Sequence, residues 1–252
     1  VSRGLGDVYK RQSSYFISLN RGKKSIVVDF NNEEDKKIFK KLLAISDVII
    51  DNFKPGTLEK YGFSSSYLKK NFPLLIQTKI SGFGETGPLK ENPAYDMIVQ
   101  AMGGIMSITG KDKNATCRVG SSIGDIVAGL YAVIGVLTQI IFRNQSKKGS
   151  RLDLSMLDCQ VAILENAIAR YSVEKKIPCP LGTDHPSITP FGAFKTLDGT
   201  LAIAIGNNKM FKDFCYSIKN EELHKKKKYE NNAKRNKNLS DLRRDIEYQM
   251  KK

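Results

Sequence analysis

The chain has 252 residues, 40% apolar and 27% charged, the composition of an ordinary soluble globular protein with room for one large domain or one and a half smaller ones. Its 41 Lys and Arg against 26 Asp and Glu give a formal charge of +15, which fits a polyanionic ligand and keeps a basic nucleic-acid-binding protein open as a rival. Four widely spaced cysteines with no CxxC pair and two isolated histidines argue against a zinc site and against histidine-based nucleophilic triads.

Val1–Gln12 have no apolar run of the kind a signal peptide needs. They look like a non-native leader and are set aside, and with the unpaired thiols this points to a cytoplasmic protein. Ser25–Asp29 (SIVVD) reads as a strand. A helix is predicted from Asn32, which can cap it, with Glu33, Glu34 and Asp35 in the first turn and Ile38, Leu42 and Leu43 on an apolar face. Val48–Ile50 is a second strand, Pro55-Gly56 a break, and a short helix follows around Leu58. Ser64–Ser66 can cap another helix running to Phe72, and Leu74–Ile80 is a third strand. Strands and helices alternating through short polar joints indicate a parallel sheet wrapped by helices, with ligands at the carboxyl ends of the strands. Those ends are Asp29-Phe30-Asn31, Asn52-Phe53-Lys54 and Ser81–Gly84.

Further along, a helical segment covers Tyr95–Met102, and a long helix starts near Gly124. Arg151–Ser155 alternates like a strand, and a helix spans Met156–Arg170. Pro178–Pro190 is rich in Pro, Gly and Ser and reads as a linker. Phe191–Thr196 and Thr200–Ile205 flank Asp198-Gly199, a hairpin signal. The tail from Lys219 to Lys252, with 12 basic and 6 acidic residues, reads as charged helix without an evident closing element. It does not interleave aromatics with Arg as single-strand binders do. These signals divide the chain into a large domain over 13–180, a linker over 181–190 and a smaller domain from 191 to 252.

Two features tempt other readings. Ile123–Phe142 is nearly all apolar and about as long as a membrane span, roughly 20 residues. It contains Asp125, and Gly124, Ala128 and Ala132 recur at intervals of four, which fits a helix buried in a soluble core equally well. Gly82–Gly87 spells GxGxxG after a strand, but Pro88 and Pro93 follow where a dinucleotide site needs a helix to begin. A loop that lets some ligand approach the backbone is the better reading.

Taken in order, Asn20–Asp29 (NRGKKSIVVD), Asp47–Gly56 (DVIIDNFKPG), Ser81–Pro88 (SGFGETGP), Ala94–Gly104 (AYDMIVQAMGG), Gly124-Asp125 opening an apolar helix, and Lys148–Met156 (KGSRLDLSM) resemble the class III CoA-transferase family. That family includes formyl-CoA transferase, carnitine CoA-transferase and the α-methylacyl-CoA racemases. Ala94–Gly110, His185–Phe194 (HPSITPFGAF) and Gly206-Asn207-Asn208 look most like the branch acting on succinate, glutarate and related dicarboxylates. The resemblance implies an α/β fold, a Rossmann-like large domain with a parallel sheet followed by the start of a smaller α+β domain. It covers about the middle of a family member, lacking the first strand unit and the return to the large domain.

The resemblance implies that Asp125 is a carboxylate nucleophile, that no cofactor is permanently bound, and that a coenzyme A thioester is a substrate with a free carboxylic acid as its partner. From position alone, capping its helix is the commoner fate of an Asp before an apolar run, and it is the resemblance that favours the nucleophile. A place at the helix N-terminus would keep it ionised. Similarity also places CoA around Val28, Asp29, Phe30, Asn31, Asn52, Phe53, Lys54 and Lys60, with Tyr95 and Asp96 near the thioester. Solvated charge is the plain alternative for Lys54 and Lys60, turn formation for Asp29 and Asn52, and core packing for Tyr95. Tyr95 stands where racemases of the family carry a histidine, and a tyrosine with an ordinary pKa of about 10 is a poor base; this favours acyl exchange over racemisation. The family forms interlocked dimers, so a homodimer is expected, with no membrane, metal or nucleic-acid partner. An inactive fragment is the remaining rival.

Overall fold

The computed structural model describes residues 8–9 and 12–252, so the reading of Val1–Gln12 as a leader lies largely outside the described residues. A short antiparallel pair, β1 (Val8–Tyr9) and β2 (Gln12–Ser13), leads into α1 (Ser14–Leu19). Ser25–Asp29, expected as a strand, carries none and lies exposed, with Val27 90% accessible. A β-branched run becomes a strand only when a neighbour accepts and donates its backbone hydrogen bonds, and among the described residues no strand pairs with this one.

Helix α2 (Glu33–Ile45) starts where the sequence puts it: the Asn32 side chain accepts from the Glu34 and Asp35 N–H groups, ahead of three acidic residues. It turns directly into β3 (Val48–Asp51). Then come α3 (Thr57–Lys60), α4 (Ser65–Asn71), capped by Ser64 through the Tyr67 N–H, and β4 (Ile76–Ser81). Helices α5 (Asp96–Met102), α6 (Ile105–Ile108) and α7 (Ile123–Ser146) precede β5 (Arg151–Ser155). Strands β3, β4 and β5 form one parallel sheet in that order, with Val48 opposite Ile76 and Gln77 opposite Arg151. The protein is therefore mixed α/β with a parallel three-stranded sheet.

Two apolar clusters sandwich that sheet's connections. Leu43, Leu58, Phe63, Leu68 and Leu75 pack beneath α2, α3 and α4. Val99, Val127, Ala128, Met156 and Cys159 join α5 and α7 to α8 (Met156–Ala162). Each Leu, Val, Phe or Met among them, fully buried, contributes roughly 1.5–3 kcal/mol. The single helix expected over Met156–Arg170 is two: α8 ends at Ala162, and α9 (Glu165–Glu174) resumes after Ile163 and Leu164.

The small-residue stripe of α7 is its buried face: Gly124, Ala128 and Ala132 are buried with Val127. The expectation of a helix enclosed in a core holds only there, because Leu130, Val133, Ile134, Leu137 and Ile141 are all more than half exposed. By length and composition α7 could cross a membrane.

After the Pro-rich stretch, β6 (Phe191–Lys195) and β7 (Thr200–Ala204) form the expected antiparallel hairpin across Asp198-Gly199. Helices α10 (Asn208–Ser217), α11 (Glu222–Lys225), α12 (Asn232–Lys237) and α13 (Leu239–Met250) follow, with a 3-10 turn over Lys227–Tyr229. The tail packs back on the hairpin. Leu242 and Ile246 of α13 are completely buried in a third cluster with Phe194, Phe211, Leu223 and Tyr229, and Glu247 accepts the Lys195 N–H of β6. Charge dominates the tail's composition, but its apolar residues recur on one helical face.

Candidate active site

The carboxyl end of the sheet is where chain segments converge. Asn52, just past β3, donates from Nδ2 to the Ile80 carbonyl of β4 over 2.7 Å, binding the two strand tips together. Beyond β4 the Ser81–Gly84 loop is pinned by the Ser81 hydroxyl, which accepts the Gly84 N–H. Asp153 of β5 accepts the Glu85 N–H. No helix starts in the GxGxxG segment, as expected from Pro88. The close backbone approach that its first glycine allows is to the chain itself, because a Cβ on Gly82 would lie 2.4 Å from the Ala94 Cβ. Gly82 thus draws the loop before α5 onto the tip of β4.

Asp96 opens α5 and reaches the start of α7, where its Oδ1 accepts the Gly124 N–H at 2.8 Å. Gly124 suits this approach: a Cβ there would sit 3.2 Å from both that oxygen and the Val99 Cγ1. One carboxylate therefore stands at the amino ends of two helices, where unpaired N–H groups and helix dipoles favour negative charge. Asp96 Oδ2 accepts from Gln100 Nε2 at 2.8 Å, and Arg118 lies 3.7 Å away.

Asp125, on the first turn of α7, is exposed and makes no hydrogen bond among the described residues. Capping, the plain alternative for it, is done by Asp96. Desolvation by the surrounding protein holds its carboxyl above the ordinary aspartate range, and the nearby Asp96 charge adds to the effect. That is opposite in sense to the expectation that the helix N-terminus would set its ionisation. The dipole is felt most by a group bonded to the free N–H groups, and that group is Asp96.

The remaining predicted residues divide by what already occupies them. Asp29 accepts from both the backbone and side-chain N–H groups of Asn31, so it forms the turn that leads into α2. Phe30 stacks on Tyr61 at 5.3 Å and meets Phe39 edge-on at 5.1 Å, so its ring belongs to the core beneath α2. Val28 is half-buried, and Asn31 is exposed. Phe53 is 47% exposed, and Lys54 and Lys60 are exposed, neither holding a carboxylate among the described residues. The Lys60 ammonium lies 5.5 Å from the centre of the Tyr61 ring. Tyr95 is 82% exposed, which rules out its core-packing alternative. Since α2 feeds straight into the amino end of β3, its own amino end, with residues 28–31, lies toward the strand tips. The topology so sets 28–31, Asn52–Lys54, Tyr95-Asp96 and Asp125 toward the carboxyl end of the sheet, where hydrogen bonds join Asn52 to β4 and Asp96 to the start of α7.

The sheet also carries a narrow cleft lined by Asp51, Glu59, Lys79 and Arg151. Three of its ions are paired: Lys79 holds Asp51 at 2.8 Å, both largely buried, and Arg151 holds Glu85 from outside the cleft. Sequence reading missed Gln100 and Arg118. Gln100 was detectable, because it stands four residues after Asp96, the spacing that places two side chains on one helix face; Arg118 reaches Asp96 only through folding of a loop.

The model of CoA-transferase family III matches residues 1–252. An acetyl-CoA:oxalate CoA-transferase of Acetobacter aceti is 37% identical over the whole of this chain and 65% of its own length. A succinyl-CoA:glutarate CoA-transferase of Mus musculus is 38% identical over 92% of this chain and 53% of its own length. The crystal structure of a CAIB/BAIF family protein from Brucella suis superposes with a TM-score of 0.84 at 36% identity, covering 97% of this chain and 65% of that one. The chain thus spans about half to two thirds of the length of the relatives it matches.

Proposed function

This chain belongs to CoA-transferase family III, and we propose that Asp125 is the carboxylate through which its full-length protein moves CoA from an acyl-CoA, succinyl-CoA in the first instance, to a free dicarboxylic acid. The observation that carries the reading is that the Asp125 carboxylate stands exposed and without a hydrogen bond among the described residues at the start of α7, because Asp96 already holds the helix terminus. The neighbouring protein still desolvates it in part, and a partly desolvated carboxylate is more basic, and so a better nucleophile, than one spent on capping.

The steps need only carboxylates and thiolates. Asp125 attacks the thioester carbonyl, the carbon–sulfur bond breaks, and CoA leaves as thiolate from a mixed anhydride. The thiolate then attacks the Asp125 carbonyl, giving an aspartyl-CoA thioester and releasing the donor acid. The acceptor carboxylate attacks that thioester, forming a second mixed anhydride, and the freed thiolate takes the acceptor's acyl group, restoring Asp125. No proton transfer is obligatory, which suits a chain with two histidines.

CoA would lie along the strand tips, with the backbone of Val28–Asn31, the Asn52 and Phe53 loop, and the uncommitted Lys54 and Lys60 toward its phosphates, and Tyr95 and Asp96 beside the thioester. Tyr95 has no part in proton abstraction in this reading. The full-length protein is proposed to act as a homodimer, an assignment that the exposed apolar side of α7 supports. The test is transfer from succinyl-CoA to glutarate, oxalate and mesaconate by the full-length protein. Asp125→Ala should lower the rate by at least about 1,000-fold, the scale for losing a covalent nucleophile. Transfer that survives this substitution, or exchange of an α-proton with deuterated water in its place, overturns the reading.

A further inference from the structure

Gln100 is completely buried on α5, and its amide is the hub of a polar network that bears on the candidate nucleophile. Its Nε2 donates to Asp96 Oδ2 at 2.8 Å and lies 3.4 Å from the carbonyls of Val119 and Ser121. Its Oε1 accepts the Val119 N–H at 2.8 Å. The loop just before α7 is thereby tied on both sides of its peptide groups to one side chain. The same side chain fixes the second oxygen of Asp96, whose first oxygen takes the Gly124 N–H. A buried amide with both ends satisfied rigidifies what it touches, whereas a residue serving only to fill space needs no polar atoms at all.

We propose that Gln100 is a positioning residue for Asp125: by holding Asp96 and the Val119–Ser121 backbone, it keeps Asp96, and not Asp125, on the N–H at the start of α7, and so leaves the Asp125 carboxylate uncommitted. This rests on Asp125 being the nucleophile. Without the amide, Asp96 loses its strongest donor besides Gly124 and the loop loses its clamp. The first turn of α7 then relaxes, and its nearest spare carboxylate, Asp125, turns back to cap it. A carboxylate that accepts backbone N–H bonds is held ionised to lower pH and is a weaker nucleophile. The charged groups bearing on Asp125 are Asp96 of α5 and, behind it, Arg118 of the preceding loop.

The experiment follows the Asp125 carboxyl by carbon-13 NMR in full-length protein labelled at aspartate, the signal being assigned by its loss in Asp125→Asn. In Gln100→Leu, which keeps the volume and removes the amide, the titration should move to lower pH by about half a unit or more. The turnover number for CoA transfer should fall about tenfold while KM for the acyl-CoA stays within about twofold, because geometry at the nucleophile and not substrate binding is lost. Gln100→Glu is the second variant, and carries the test should the leucine protein not fold. It retains the acceptor for Val119 and places a like charge against Asp96, so its defect at neutral pH should ease as the medium is acidified and the new carboxyl regains a proton to donate. An unmoved Asp125 titration in the folded variants, or turnover and KM falling and rising together without it, overturns the positioning role. If the titration moves but the wild type transfers no CoA, the proposed activity falls and the positioning role stands.

Discussion

At Asp125 two demands compete for one carboxylate, and the fold resolves them by assigning the structural one to Asp96. The resolution has a thermodynamic signature. Desolvation first, and the Asp96 charge second, raise the Asp125 pKa in the folded protein. The native state then holds its proton to higher pH than the unfolded chain does, so ionisation of Asp125 opposes folding. Stability is lost as the pH rises through the interval between the ordinary aspartate value and the raised one, and is regained below it. Asp125→Asn should therefore unfold in urea at the same or a higher midpoint than wild type at pH 7. The advantage should vanish on acidification below that interval. A neutral-pH midpoint well below wild type would show Asp125 to be a stabilising cap, contrary to the geometry at Gly124.

The elements are held by short-range devices that read directly from sequence. Asn32 is the plainest, with its side chain accepting from Glu34 N–H at 2.9 Å at the head of α2. Asn32→Ala should cost about 1 kcal/mol in chemical unfolding, the usual range for a lost N-cap. Because α2 leads into residues 28–31 at its amino end, the same variant should weaken acyl-CoA binding more than turnover, provided that segment does contact CoA. A change under a few tenths of a kcal/mol would mean that the Glu33, Glu34 and Asp35 turn sustains itself. Helix α7 obeys a different rule. Its stripe of small residues lets it lie close on β4 and β5, and a Cβ on Gly135 would come within 3.1 Å of Leu152.

At the largest scale, α7 has a broad apolar face that no described residue covers, and a folded monomer seldom exposes one so large. We take a second copy of the chain to cover it in the full-length protein. Light scattering in detergent-free buffer should return twice the subunit mass, and Ile134→Glu, on the exposed side, should shift the species toward the monomer mass. A monomeric wild type, or one soluble only in detergent, would sink this assignment, the latter in favour of a membrane. The basic tail argues in the same spirit against free positive charge. Glu222, Glu230, Asp241, Asp245 and Glu247 each hold a Lys or Arg, so part of its surplus is internally paired.

What the sequence by itself determined was local or ordered along the chain. The alternation of strand and helix, the caps at Asn32 and Ser64, the hairpin at Asp198-Gly199 and the run of family motifs depend on neighbours a few residues apart or on their order. Hydrophobic period and capping chemistry express themselves at that range. Tertiary structure decided what depends on a distant partner. It left Ser25–Asp29 without a strand, because no edge among the described residues pairs with it, and it buried the tail's apolar face against β6. It gave the cap of α7 to a residue 28 positions upstream of Gly124 and so left Asp125 free. Which of two carboxylates takes an N–H group is a matter of angstroms in space, and spacing along a chain carries no record of it.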